Sequence, residues 1–260
     1  SLMSFSESIK DDYFLSSAEK MKHHFKDIAF PESAMKELKT LDMEVWDTRP
    51  ETVIYWVEAK QPEIDGSIED WPQGTFVSFG RRNLVLETDV WGGDSDLSGR
   101  AGMLLSPEYI YIAFDVVDDK PFINEKSGKD IWNGDGIEVA FNFNASADRN
   151  RTAMTEDDFQ ACFAFEKDTV KTWSWQISGE IEKADVSLKP TQKGYIVEAR
   201  IPFDTFPALK HPEPGTQVTV NFVINDADAG IREHQMLWAG DQMFYADPSV
   251  WGSATIEILP

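Results

Sequence analysis

Two stretches of this chain place aromatic, amide and carboxylate side chains where they could recognise a polar, ring-shaped ligand. The first is Ile131-Trp132-Asn133-Gly134-Asp135-Gly136-Ile137-Glu138-Val139; the second is Asn225-Asp226-Ala227-Asp228, closing the alternating run Val218, Val220, Phe222, Ile224. Indole rings pack on the apolar faces of sugars, and planar amides and carboxylates pair with hydroxyls, so a strand mouth carrying both suits a saccharide. Asn133-Gly134-Asp135-Gly136 is a turn signal that favours exposure of Trp132, although tryptophan is also a common core residue.

Bond-breaking chemistry finds less support. The four histidines are His23, His24, His211 and His234, and none lies in a local motif with Ser, Cys or a metal-ligand partner. No glycine-rich phosphate loop appears, whereas carboxylate pairs are so numerous that a glycosidase pair stays open. Met103, His234 and Met236 lie on or near predicted strands, where methionine is usually core filler. Asp94-Ser95-Asp96 and Asp226-Ala227-Asp228 have oxygen spacing compatible with a calcium loop, with Asp226 and Asp228 the candidate ligands. Acids at this spacing also cap turns.

The balance of 24 Lys and Arg against 46 Asp and Glu, a formal charge of -22, disfavours nucleic acid and anionic membranes as partners. Cys162 is the only cysteine, so neither an intrachain disulfide nor a cysteine-rich metal site can form. No apolar run approaches the roughly 18 residues of a spanning helix.

The elements that must position these residues follow from periodicity. From Ser16 to about Leu41 the spacing predicts two short helices divided by Pro31; Val53, Tyr55 and Val57 then alternate as a leading strand, giving an N-terminal extension over 1–61 and a β domain over 62–260. Four apolar rows predict core faces: Ile110, Ile112, Phe114 and Val116; Ile137, Val139, Phe141 and Phe143; Tyr195, Val197, Ala199 and Ile201; Val218, Val220, Phe222 and Ile224. Further strands are expected over 159–165, 172–177, 186–188 and 254–259. With no long helix between them, they should pair antiparallel and pack as two sheets. Glu138, Asn142, Glu198, Arg200, Asn221 and Asn225 would face away from the core, on a solvated or a ligand-binding sheet face.

In order, Ile64-Asp65-Gly66-Ser67-Ile68-Glu69-Asp70-Trp71, Asp96-Leu97-Ser98, Tyr109 to Ala113, Trp132 to Glu138, Tyr195 to Phe203, Asn225 to Asp228 and Trp251-Gly252 give the chain a resemblance to carbohydrate-binding module family 9. Related sandwiches include haem-binding cytochrome domains that ligate iron through Met with His or Lys, so the resemblance leaves haem, on Met103, His234 or Met236, as the alternative from another class. The resemblance implies a β-sandwich that holds a mono- or oligosaccharide, or a polysaccharide end, between two tryptophan faces, with structural calcium. It points to Trp132 as one face and to Glu138, Gln160 and Asn225 as hydroxyl readers, with Arg200 a weaker addition. Family members often carry an acidic pair, then Gln, then Arg on the following strand; here Asp157-Asp158-Phe159-Gln160-Ala161-Cys162 has cysteine in the arginine's place. For the second face Trp238 is favoured over Trp173 and Trp175, while Trp71 and Trp251 are expected to be structural. The chain is thus expected to be a non-catalytic carbohydrate-binding protein, extracellular or periplasmic with the cytoplasm left open, as an accessory to a glycoside hydrolase or alone; an accessory interaction domain with no small ligand of its own is the remaining alternative.

Overall fold

The period-two runs become strands because each puts one row of apolar side chains on a single face, which must be covered by another such face to leave water. The computed structural model describes residues 49–167 and 169–259, so the helices expected between Ser16 and Leu41 lie outside the described residues. In chain order the strands are β1 (Glu51–Trp56), β2 (Val77–Phe79), β3 (Leu84–Glu87), β4 (Leu97–Leu105), β5 (Tyr109–Asp118), β6 (Gly136–Asn142) and β7 (Phe159–Glu166). They continue as β8 (Thr169–Ser174), β9 (Asp185–Pro190), β10 (Gly194–Pro202), β11 (Gln217–Asp226), β12 (His234–Leu237) and β13 (Gly252–Ile258). The protein is mainly β.

The hydrogen-bonded order is β8-β7-β6-β11-β13-β1-β4-β5-β10-β9, with β12 added to β11, β3 to β12 and β2 to β4. This ladder folds over so that its halves face each other. Phe114 on β5 meets Phe222 on β11 with ring centroids 6.0 Å apart, and Phe165 on β7 meets Tyr195 on β10 at 5.0 Å. All four apolar rows read from the sequence enter this one core. A sandwich-like, sheet-rich fold results.

Two expectations change. The leading strand does not belong to the N-terminal extension: β1 runs parallel to both β13 and β4 and joins the two halves, inside the compact unit that begins at Pro50. The ladder is therefore not purely antiparallel. The polar outer faces are not solvated either, since Glu138, Asn142, Glu198, Asn221 and Asn225 are all buried beneath loops. Each has a partner inside the protein; Asn221, for example, donates to the carbonyl of Ala239 and accepts its N–H, at 2.9 and 3.0 Å. A buried polar group costs free energy unless it is hydrogen-bonded, so this second, polar layer ties the long loops to the sheet.

Candidate functional site

Glu138 forms the centre of the site. It projects from the middle of β6, away from the apolar core, with its two neighbouring strands supplying amides. Gln160 of β7 donates its Nε2–H to Glu138 Oε2 at 2.6 Å, and Asn225 of β11 donates Nδ2–H to Oε1 at 2.7 Å. Asn225 Oδ1 in turn accepts from Gln235 Nε2 at 2.9 Å and Arg232 Nη1 at 3.2 Å. Burial raises the Glu138 carboxyl above the usual carboxylate range, against the lowering effect of the Asn225 bond, the Arg232 charge and the Gln160 bond.

Over this floor lies a cleft of about 660 Å³. Trp132, Glu138, Gln160, Trp175, Arg232 and Gln235 line it, and Lys129, Asp130, Gln176, Gln242, Phe244 and Tyr245 complete its wall. Tyr245, 55% exposed, is the one large aromatic among them that stands mostly in solvent. A second cavity of about 350 Å³, walled by Tyr55, Lys60, Asp70 and Leu259 among others, contains no tryptophan and no buried carboxylate. Of these two, the larger cleft combines indole surface with a buried acceptor, the usual composition of a site that fixes a polar ring.

The loop that carries Trp132 is pinned from below. Asn124 Nδ2 donates to the carbonyls of Ile131 and Asp135, at 2.7 and 2.9 Å. Asp135 accepts the backbone N–H of Ile123 at 2.6 Å and of Ala227 at 2.7 Å, which fastens this loop to the end of β11. Gly134 and Gly136 are required by close approach: a Cβ would lie 2.5 Å from the Asn124 side chain at the first and 2.5 Å from the Phe163 carbonyl at the second. The turn chemistry of Asn-Gly-Asp-Gly thus fixes where the indole stands.

Arg232 was not foreseen from the sequence. Its guanidinium carbon sits 4.7 Å from the Trp132 ring centroid, a cation–π geometry, and its backbone N–H donates to Asn133 Oδ1 at 3.1 Å. Trp175 is the second indole, in the turn just after β8, with its Nε1–H on the Lys129 carbonyl at 3.2 Å. Trp173 packs below it against Ile131, Cys162 and Ala164.

The other expected site residues lie elsewhere. Trp238 does not line the cleft: its ring packs on Phe222 with centroids 5.9 Å apart, and its atoms come so close to Gly252 that a Cβ there would meet them at 2.2 Å. Arg200 pairs with Asp185 at 2.8 Å and stacks over Tyr109 on the opposite half of the sandwich. Asn225 is fully buried and supports Glu138 and Arg232 from behind rather than lining the cleft. Trp71 and Trp251 are core residues, as expected. For the haem alternative, Met103 and Met236 are buried in the main core. Both nitrogens of His234 are engaged, Nδ1 with Asp226 at 2.8 Å and Nε2 with the Asp89 carbonyl at 3.1 Å, so neither is left for iron.

Beside the cleft is a cluster of acids. Asp118, Asp135 and Asp226 each bring a carboxylate oxygen within 4.8 Å of the others; Asp96 joins Asp226 and His234 in the same way, and also Asp119 and Asp228. Asp118 Oδ2, Asp226 Oδ1 and Asp228 Oδ1 are buried without a donor, while the other oxygen of Asp228 pairs with Lys120. Burial first, then the neighbouring charges, push Asp118 to about 8 and Asp135 to about 9; burial pushes Asp226 to about 6. Several carboxylates crowded in low dielectric with lone pairs unfilled have the chemistry of a hard-cation site.

Known proteins share this arrangement of strands. The model of the family described as carbohydrate family 9 binding domain-like matches residues 64–258. Endo-1,4-beta-xylanase C of Paenibacillus barcinonensis is 28% identical over 195 residues, 74% of this chain and 16% of the xylanase. Endo-1,4-beta-xylanase A of Thermotoga maritima is 26% identical over 195 residues, again 74% of this chain and 16% of the enzyme. The match therefore spans a small part of these enzymes' length. Among solved structures, a family 9 carbohydrate-binding module of Caldicellulosiruptor kristjanssonii in complex with cellotriose superposes with TM-score 0.58 at 17% identity, over 81% of this chain and 95% of that one. Its complex with glucose gives TM-score 0.56 at 17% identity, over 79% and 96%. With the family model covering three-quarters of the sequence, this chain belongs to the carbohydrate family 9 binding domain-like proteins and is a carbohydrate-binding protein.

Proposed function

We propose that the cleft above Glu138 is the saccharide site, and that the domain holds a sugar there without cleaving it. Trp132 and Trp175 would flank the ring, and Glu138 and Gln160 would pair with its hydroxyls. The observation that carries this reading is the buried Glu138, oriented by Gln160 and Asn225 at the floor of a cleft that also holds two indoles. The modules of similar fold were captured with cellotriose and glucose, so gluco-oligosaccharides are the first candidates, and the xylanase relatives make xylo-oligosaccharides the second. A domain serving polysaccharides too large to enter a cell would work outside it, beside or attached to a hydrolase.

The acid cluster fits a divalent cation of the calcium type, held by Asp118, Asp135 and Asp226 with Asp96 and Asp228 alongside. Its role would be to neutralise buried charge and lock the Trp132 loop against the end of β11. The test of the cleft is titration calorimetry with glucose, cellotriose and a xylo- and manno-oligosaccharide panel, with and without calcium, on the wild type and Glu138→Gln. Binding to at least one gluco- or xylo-oligosaccharide that weakens in the variant is expected. Unchanged affinity in Glu138→Gln would move the site elsewhere.

A further inference from the structure

We infer that Arg232 is the charge-assisted hydroxyl donor of this cleft, supplied from the loop between β11 and β12 and not from position 162. The inference rests on the cleft reading above and narrows its ligand to a neutral saccharide presenting two adjacent hydroxyls.

Position 162 cannot supply the donor. Cys162 pairs with Glu138 across the β6–β7 ladder and shares its sheet face, but it is buried among Ile131, Ala164 and Trp173 and carries no cation. Arg232 brings a guanidinium to the same carboxylate from the other side, through Asn225: Arg232 Nη1 donates to Asn225 Oδ1, and Asn225 Nδ2 donates to Glu138 Oε1. The fork is held in advance of any ligand by three restraints. Trp132 covers one face at 4.7 Å, Asn225 takes one N–H, and the Arg232 backbone is tied to Asn133.

The protein does not use the whole fork. Arg232 Nε is buried with no acceptor among the described residues, and a shielded N–H without an acceptor is destabilising. That expense is rational in a group whose remaining acceptor arrives with the ligand, because preorganisation lowers the ordering cost on binding. Burial also lowers the Arg232 pKa and the Glu138 charge opposes that shift, so the two groups sense each other across the floor of the cleft. A donor fork beside a carboxylate acceptor matches a pair of neighbouring hydroxyls, one accepting from the guanidinium and the other donating to Glu138.

An anionic sugar fits less well. In the cleft Asp130 and Glu138 stand against Lys129 and Arg232, leaving no excess of positive charge, and a chain of net charge -22 repels polyanionic glycans at long range. One face of Trp132 is also already covered by the guanidinium, so the apolar face of the sugar has Trp175 and the remaining surface of Trp132 to pack on, with Arg232 along its hydroxyl edge.

The experiment is calorimetric titration of wild type, Arg232→Lys and Arg232→Gln with cellotriose, and with glucose and its single-site deoxy analogues, alongside thermal melting of each variant. Arg232→Gln should weaken binding about tenfold or more. Arg232→Lys keeps the charge but not the planar fork, so it should recover only a small part of the loss. One deoxy analogue that binds weakly to wild type should lose nothing further in Arg232→Gln, marking the hydroxyl that the guanidinium reads. Wild-type affinity in Arg232→Gln, or additive losses for every analogue, overturns the inference while the cleft reading stands if Glu138→Gln still weakens binding. Absence of saccharide binding in wild type overturns both.

Discussion

Glu138 and Glu198 are the same residue type in equivalent settings with different partners. Each points outward from a central strand, β6 or β10, and each is at most 1% exposed. Glu198 is saturated by its own chain: Oε2 accepts the backbone N–H groups of Gly66, Ser67 and Asp65 at 2.6, 3.0 and 3.2 Å, and Oε1 accepts the Trp71 indole N–H at 2.7 Å. The turn it grips needs Gly66, which has φ of 80° and a would-be Cβ 2.7 Å from Lys189. Glu138 instead is oriented by two side-chain amides at the floor of an open cleft, with lone pairs left for a visitor. Burial does not separate a structural carboxylate from a recognition one, because burial raises both above the usual range. What separates them is whether backbone donors close the acceptor set.

The sharpest break of that comparison is Glu198→Ala. It leaves three backbone N–H groups and an indole N–H without their acceptor, at a cost of about 4 kcal/mol, or on the order of 10 °C in melting temperature for a domain of this size. Scanning calorimetry checks the loss, and titration well below the transition should still show wild-type sugar affinity. A fall in affinity equal to that of a Glu138 variant would show that the two carboxylates do not divide the work.

Next in size is the cation where the two halves meet, between Asp118 of β5 and Asp226 of β11. If Asp118, Asp135 and Asp226 hold calcium, adding it at about 100 times its dissociation constant should stabilise the fold by about 2.7 kcal/mol, read as a rise in melting temperature that EDTA reverses. Asp226→Asn should shrink that rise. The cluster draws Asp118 from β5 and Asp226 from β11, whereas Glu198 is held by the backbone of Asp65, Gly66 and Ser67 and by Trp71, so Glu198→Ala should respond to calcium with the same increment as wild type, the two sites sharing no partner.

How far these halves were legible in the sequence follows the same divide. Apolar alternation exposed four of the core rows, because a period of two puts each on one face, but it did not show the row of β4, where Leu97, Ala101, Met103 and Leu105 enter the same core around Gly99 and Gly102. That Trp132 and Glu138 share one cleft was legible because the Asn-Gly-Asp-Gly turn and the strand period fix their faces locally. Glu198 looked like a candidate for solvent, since the loop that caps it lies more than 130 residues away in sequence. Trp238 was misjudged for a related reason: nearness in sequence to Asn225 suggested the cleft, but one face of β12's exit packs on Phe222 while the cleft draws its indole from the turn after β8. Arg232 left one sequence signal, the absence of arginine at 162, and no local pattern could say from which loop a replacement would come. The leading strand was assigned to the wrong side of the boundary because its parallel partners are β4 and β13, the second of which is the last strand of the chain.

A smaller and more specific break is Trp132→Ala. Losing one stacking surface should weaken sugar binding by about tenfold, roughly 1.4 kcal/mol, while melting temperature falls only by the loss of a cation–π contact worth about 1 kcal/mol or less. Equal loss of stability and affinity would make Trp132 a packing residue and hand the aromatic role to Trp175. Titration and melting curves on the same preparation separate the two outcomes.

The smallest effect is a pH dependence with two opposite signs at one residue. Because burial raises the Glu138 pKa in the folded protein, folding favours its protonated form: its contribution to stability is complete below the unfolded carboxylate pKa, about 4.3, and is lost as pH rises through the raised value. Sugar binding runs the other way, since the charge-assisted acceptor is the carboxylate, so affinity should be full above the raised pKa and should decline as pH falls through it, sooner than an ordinary glutamate would allow. Arg232 is one of the groups that hold this pKa down, so Arg232→Gln should move the acid limb of the affinity profile to higher pH. Glu138→Gln should flatten that limb, whereas Glu198→Gln should leave it in place because no ligand reaches that carboxyl. An affinity profile that keeps its acid limb in Glu138→Gln would assign the titrating acceptor to another group in the cleft, with Asp130 the next to test.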